Sequence, residues 1–157
     1  MNNRTTVERT SDRELVVTRT LDAPARIVFE AWTKPELFLR WWAPKSFGIT
    51  FLSCEMDVRT GGSYRFVFGH PASEQPMAFF GRYIEVTPPS RIVWTNDEEG
   101  ENASVTTVTF KEKDGRTLLV MSELYPSKEA LDEAGTGAAD ATHETFGQLD
   151  ELLVTLH

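Results

Sequence analysis

GAADATHETFGQLDELLVTL, residues 137–156, is the longest helical pattern in the chain and the stretch whose reading decides the fold. Phe146, Leu149, Leu152, Leu153 and Leu156 recur at helical spacing, preceded on the same face by the smaller Ala138, Ala141, Thr142 and Thr145. Asp140, Glu144, Gln148 and Glu151 fall opposite, so the helix is amphipathic and must bury one broad face. Ahead of it, SKEALDEAG (127–135) reads as a separate short capped helix.

Residues 48–125 say what that face packs on. GITFLSCEMDV, GSYRFVFG, MAFFGRYIEV, RIVWTN, ASVTTVTFKEK and RTLLVMSELY are short β-type runs, separated by the turn signals RTGG, HPASEQP, TPPS, DEEGEN and KDG. Six strands with short links predict an antiparallel meander rather than βα alternation. A further β-type run, ELVVTRTL (14–21), precedes DAPARIVFEAW, a helix with Asp22 as its expected N-cap and Pro24 in its first turn. TKPE then predicts a capping box between Thr33 and Glu36, opening a second short helix with Leu37, Phe38, Trp41 and Trp42 on its apolar side and Pro44 as its stop. The fold class is α+β: a curved antiparallel sheet wrapped on the C-terminal helix, with two short helices after the first strand. Residues 1–12 read as a flexible N-terminal arm and 13–157 as a single domain.

Composition narrows the function. With 157 residues, 40% hydrophobic and 11% aromatic, the chain can build a sizeable core. A formal charge of −8 without a Lys/Arg cluster argues against nucleic acid, and no run approaches the length of a membrane span. One cysteine, Cys54, and an N-terminus lacking an apolar stretch point to the cytoplasm.

No catalytic motif emerges. HETFG begins like a zinc-protease helix, but Gly147 stands where the second histidine belongs. RTGGS reads as a turn, and His70, His143 and His157 are scattered, with His143 alone flanking the long helix's apolar face. Cys54 reads as a small buried hydrophobe. The acidic tip Asp97, Glu98, Glu99 and Glu101 reads as a solvated hairpin loop. No metal and no cofactor is expected.

Strand alternation assigns the interior. Tyr64, Phe66 and Phe68 share one face with Arg65 on the other; Leu119, Met121 and Glu123 share another. Glu123 either faces inward, where a carboxylate must be paired, neutralised or wetted, or sits at a watered rim. Adjacent helix residues diverge by about 100°, so one of Trp41 and Trp42 closes the core while the other meets a cavity mouth or a partner. Trp42 with Phe47 is placed at the mouth.

Taken together, LDAPARIVFEAWTKPELFLRWWAP, DVRTGGSYRFVF, GRYIEVTPPSRIVWT and YPSKEALDEAGTGAADATHETFGQLDELL resemble the AHSA-type family (activator of ninety-kilodalton heat-shock protein ATPase homologue) of the START-like (SRPBCC) superfamily, over residues 14–154. The resemblance implies a helix-grip fold with a cavity between sheet and helix, and a structural role for a turn motif matched by Asp57, Arg59, Gly61 and Gly62. Many relatives carry Gly-Met at the start of the long helix, where this chain has Gly137-Ala138. Superfamily members bind apolar ligands, some are cyclases or hydrolases, and others are chaperone co-factors in the stress response. The leading expectation is a small hydrophobic or aromatic ligand held among Tyr64, Phe66, Phe68, Tyr83, Trp94 and Met121, with Phe146 from the helix. Glu123 and His143 would be its polar anchors. The alternatives are a protein-interaction module, as chaperone co-factor or homodimer, and an enzyme using Glu123 or His143 as acid/base.

Overall fold

The computed structural model describes residues 5–42, 48, 50–70, 73–96 and 104–156. Its elements are β1 (Thr6–Arg9), β2 (Glu14–Leu21), α1 (Ala25–Thr33), α2 (Pro35–Phe38), β3 (Thr50–Met56), β4 (Ser63–His70), β5 (Ser73–Thr87), β6 (Arg91–Asn96), β7 (Ser104–Lys113), β8 (Arg116–Leu124) and α3 (Lys128–Leu156). The strands form an antiparallel 8-stranded sheet in the order β1-β2-β8-β7-β6-β5-β4-β3. The meander runs from β3 to β8, and β2 closes it on the far side of β8. The α+β architecture read from the sequence is the one observed, with helices on the concave face and α3 across it.

Several local expectations are corrected. Residues 6–9 are not a frayed arm: they pair antiparallel with Glu8 opposite Val16 and Thr6 opposite Thr18, because β2 would otherwise be an unpaired edge. HPASEQP is mostly strand, since β4 ends at His70 and β5 already starts at Ser73. The capping box does not form. Lys34 is the N-cap of α2, without a side-chain bond, and the Thr33 hydroxyl instead donates 2.9 Å back to the Phe29 carbonyl. Asp22 does not cap α1 either; it takes an ion pair from Arg116 at 2.6 Å. The first-turn amide of Ala25 finds the Glu112 carboxylate of β7 at 2.8 Å, so the cap comes from the sheet.

SKEALDEAG and the stretch after it are one helix of 29 residues rather than two. Ser127 accepts from the Ala130 amide at 3.1 Å as a side-chain N-cap, and Gly135 and Gly137 are carried through at a cost of about 1 kcal/mol each. Burial of Phe146, Leu149, Leu152 and Leu153 in the core offsets that cost. Gln148, expected on the solvent face, is buried: its amide donates 2.9 Å to the Trp41 carbonyl, because the turn that follows α2 meets that side of α3. A second tie joins helix to sheet, where Arg19 of β2 donates from Nε to Asp150 at 3.0 Å and from Nη1 to Thr5 at 2.7 Å.

Candidate functional site

Registers across the sheet lay out the concave face row by row. Leu15, Glu123, Thr106, Trp94 and Tyr83 stand opposite one another on β2, β8, β7, β6 and β5. The next row is Val17, Met121, Val108 and Ile92, all buried. Glu123 is therefore on the same face as Met121, and only partly exposed. Its Oε2 accepts from the Tyr125 hydroxyl at 2.6 Å. Burial pushes its carboxyl above the usual range, and the Tyr125 bond opposes that rise.

Beyond this row the neutral polar groups satisfy one another. Tyr64 donates 2.7 Å to the Thr95 carbonyl and lies 3.2 Å from Asn96 Oδ1. The Asn96 amide donates to Ser104 Oγ at 3.0 Å and to Thr106 Oγ1 at 3.3 Å. Tyr83 is held neutral, because burial, then Cys54 and Asp57, raise its phenol.

The aromatic side is continuous. Tyr64 stacks on Phe66 at 4.9 Å and meets Tyr83 at 5.6 Å. Phe68 contacts Phe51 at 4.5 Å and Phe79 at 5.4 Å. Trp32 of α1 is the hub under the helices, 4.8 Å from Trp41, 5.7 Å from Trp42 and 5.9 Å from Trp94. Its indole N–H is buried without a hydrogen-bond acceptor among the described residues.

The second helix is shorter than expected: α2 ends at Phe38, and Trp41 and Trp42 lie in the turn after it, both amides bonded to the Phe38 carbonyl, with side chains that diverge. Trp41 is 0% exposed and donates 3.0 Å to the Ala31 carbonyl, so it is core. Trp42 is half-buried, stacked on Phe38 at 4.8 Å and 6.4 Å from Trp94. Phe47 and the acidic tip Asp97, Glu98, Glu99 and Glu101 lie outside the described residues, as does the side chain of His143, whose backbone is in α3. Tyr64, Phe66, Phe68, Tyr83, Trp94, Met121 and Phe146 come together in one buried cluster. Phe146 of α3 is 1% exposed and packs toward Trp41, one turn before the leucine-rich end of the helix.

Sequence reasoning missed Thr106, Asn96, Phe79 and Tyr125. Alternation carried back from Tyr83 through Gly81 would have found Phe79, which is 37% exposed at the rim of the aromatic face. The partner of Glu123 had no sequence signal beyond being two residues away.

The turn at Asp57, Arg59, Gly61 and Gly62 joins β3 to β4. The Arg59 guanidinium donates 2.9 Å to the Asp57 carboxylate, and the amides of Gly61 and Tyr83 bond to the Tyr83 and Gly62 carbonyls at 2.9 and 2.8 Å. Gly61 sits at φ +88°, and a Cβ on Gly62 would stand 2.0 Å from the Asp57 carbonyl oxygen. The turn thus locks the end of β4 onto β5 beside Tyr83.

Elsewhere, a solvent-open groove of about 560 Å³ lies between the start of α1 and the β5–β6 turn, lined by Pro24, Arg26, Pro89, Phe110 and Glu112. Its carboxylate is the one already engaged by the Ala25 amide. Among the described residues no three His, Cys, Asp or Glu side chains gather as a metal site, and no helix is long and apolar enough to cross a membrane.

Solved structures share this architecture. A Rhodobacter sphaeroides protein matches with TM-score 0.85 at 24% identity, over 98% of this chain and 99% of that one. A Mycobacterium smegmatis protein matches with TM-score 0.81 at 25% identity, over 98% and 99%. An AHSA1-like protein from Aeromonas hydrophila matches with TM-score 0.71 at 16% identity, over 87% and 92%. No curated protein matches the chain in sequence. The family described as Activator of Hsp90 ATPase homolog 1-like protein matches residues 22–154, which takes in α1, the whole β3–β8 meander and nearly all of α3. With the helix-grip architecture in place and that match over most of its length, the chain belongs to the Activator of Hsp90 ATPase homolog 1-like family, within the START-like superfamily.

Proposed function

We propose that the protein binds a small hydrophobic or aromatic molecule between the concave face of the sheet and the N-terminal half of α3, in the cytoplasm. The observation that carries this reading is the concave row Glu123–Thr106–Trp94–Tyr83, an aromatic floor with one partly exposed carboxyl at its end. Small-molecule sites have that composition: mostly apolar walls with few polar groups that orient the ligand. The leucine-rich half of α3 fills its side of the grip, whereas its earlier half is built in sequence from small residues, Ala138, Ala141 and Thr142, the composition that in this reading leaves room for a ligand. Trp42 is the mouth residue of this site and Phe47 its expected neighbour. His143 is a second candidate anchor.

Native mass spectrometry against a library of apolar and aromatic compounds, with tryptophan fluorescence as the second readout, tests the reading. A bound species at a ratio of one, quenching fluorescence in wild type and much less in Trp42→Phe, is the expected result. Absence of any adduct together with unchanged emission would remove it.

A further inference from the structure

We infer that the ligand is a cation: an aromatic or apolar body carrying a protonated amine, which Glu123 receives. This rests on the ligand-binding reading above and adds the chemical class. The polar groups of the concave face point to that class. Arg19, the cation of that face among the described residues, is already engaged by Asp150 and Thr5. Tyr64, Asn96, Ser104 and Thr106 spend their hydrogen bonds on one another and on the Thr95 carbonyl. Glu123 differs. One of its oxygens accepts from Tyr125, and the other has no partner among the described residues.

Glu14, the neighbouring acid on β2, does not compete, because it faces the other side of the sheet and bonds Thr10 and Ser122. A neutral donor would fill the open Glu123 oxygen but would not offset a carboxylate drawn out of water. An anion would be repelled. A cation satisfies both oxygen and charge. The same row supplies the rest of the recognition, since Trp94 stands two strands from Glu123 and Tyr83 three, roughly 10 and 14 Å at the usual strand spacing. Thr106, Trp94 and Tyr83 are buried in the free protein, so an amine at Glu123 carries its body along this row by entering between sheet and helix toward the aromatic faces, where ring quadrupoles also favour positive charge. The raised carboxyl of Glu123 is consistent with a group that lacks its cation in the free protein.

Calorimetry of the full chain with naphthylmethylamine, naphthylmethanol and naphthoate tests this, because the three share a body and differ in charge. The amine is expected to bind about tenfold or more tightly than the alcohol, with naphthoate weakest. Glu123→Gln should bring the amine down to the level of the alcohol while the alcohol stays within about twofold. Tyr125→Phe, which frees the second oxygen, should keep the amine preference. Equal binding of alcohol and amine, or a preference that survives Glu123→Gln, overturns the cation and leaves the cavity reading standing. Failure of all three to bind removes the cavity reading and this proposal with it. If Glu123→Gln does not fold, the wild-type ranking decides alone.

Discussion

Gly81 has no side chain because β6 passes too close to allow one. A Cβ there would stand 1.8 Å from the Thr95 carbonyl oxygen and 2.7 Å from the Tyr64 hydroxyl, the pair whose hydrogen bond anchors Tyr64. The nearer obstacle is backbone, which cannot rotate away, so Gly81→Ala is expected to destabilise the fold by about 3 kcal/mol, read as a lower denaturation midpoint with unchanged slope. Glu123 works in the opposite sense. Its folded carboxyl is raised above the unfolded value by burial, so the native state binds the proton more tightly than the unfolded state does. Its contribution is fully favourable below the unfolded pKa, near 4.5, and is lost as pH rises from there through the folded pKa. Glu123→Gln removes that slope. Melting curves should show the variant gaining on wild type as pH climbs from 4 to 7, and a constant offset across that range would show that the carboxyl is not desolvated. The inward placement of Glu123 was legible from alternation with Leu119 and Met121, whereas its Tyr125 partner was not, because a loop residue's direction depends on the tertiary path.

Elements were legible where a period repeats and illegible where one bond decides. The six strands of the β3–β8 meander follow from short apolar runs bounded by turn signals, HPASEQP excepted, since burial of one face enforces that pattern. The caps did not follow. Thr33 and Asp22 had suitable side chains, but Thr33 bonds back to Phe29 and Asp22 pairs with Arg116, while a carboxylate distant in sequence, Glu112, takes the α1 amide. Tertiary partners outbid local ones there. The same holds for Gln148, assigned to solvent by the helical wheel yet buried against the Trp41 carbonyl. That bond joins the turn after α2 to α3, and breaking it strands a carbonyl in the core. Gln148→Met keeps the length and removes the donor, so it is expected to cost about 1–3 kcal/mol. Hydrogen exchange should then rise first around residues 37–42, if the bond is what holds that segment. A loss spread evenly over the sheet would place the role of Gln148 elsewhere.

At the scale of the whole molecule, the grip was readable because one long amphipathic helix and one meander have few ways to bury each other, but the inner face of the sheet was readable only in part. Phe66, Tyr83 and Trp94 were placed on the inner face from sequence, whereas Phe51 and Cys54 join it from β3, whose bulge breaks simple alternation, and Phe79 joins it from β5, where Gly81 interrupts the apolar pattern. Cys54 pairs in register with Phe66 and so shares its face, which makes the thiol a reporter on the space above the aromatic floor. It is half-buried, and burial pushes it from 9.0 up to about 11. At neutral pH its thiolate fraction is then about 100-fold below that of an unperturbed cysteine with the same reference value. Reaction with a small maleimide should be slower than for a cysteine peptide by about that factor, and its rate should keep rising about tenfold per pH unit through pH 10, where the peptide's rate has levelled off. Saturating naphthylmethylamine should slow it further, because a body lying on Trp94 and Tyr83 covers the approach to Cys54. A rate that levels off near pH 9 would mean a solvated thiol and an open β3 edge. Labelling at the same rate with and without the amine would place any bound body away from this face.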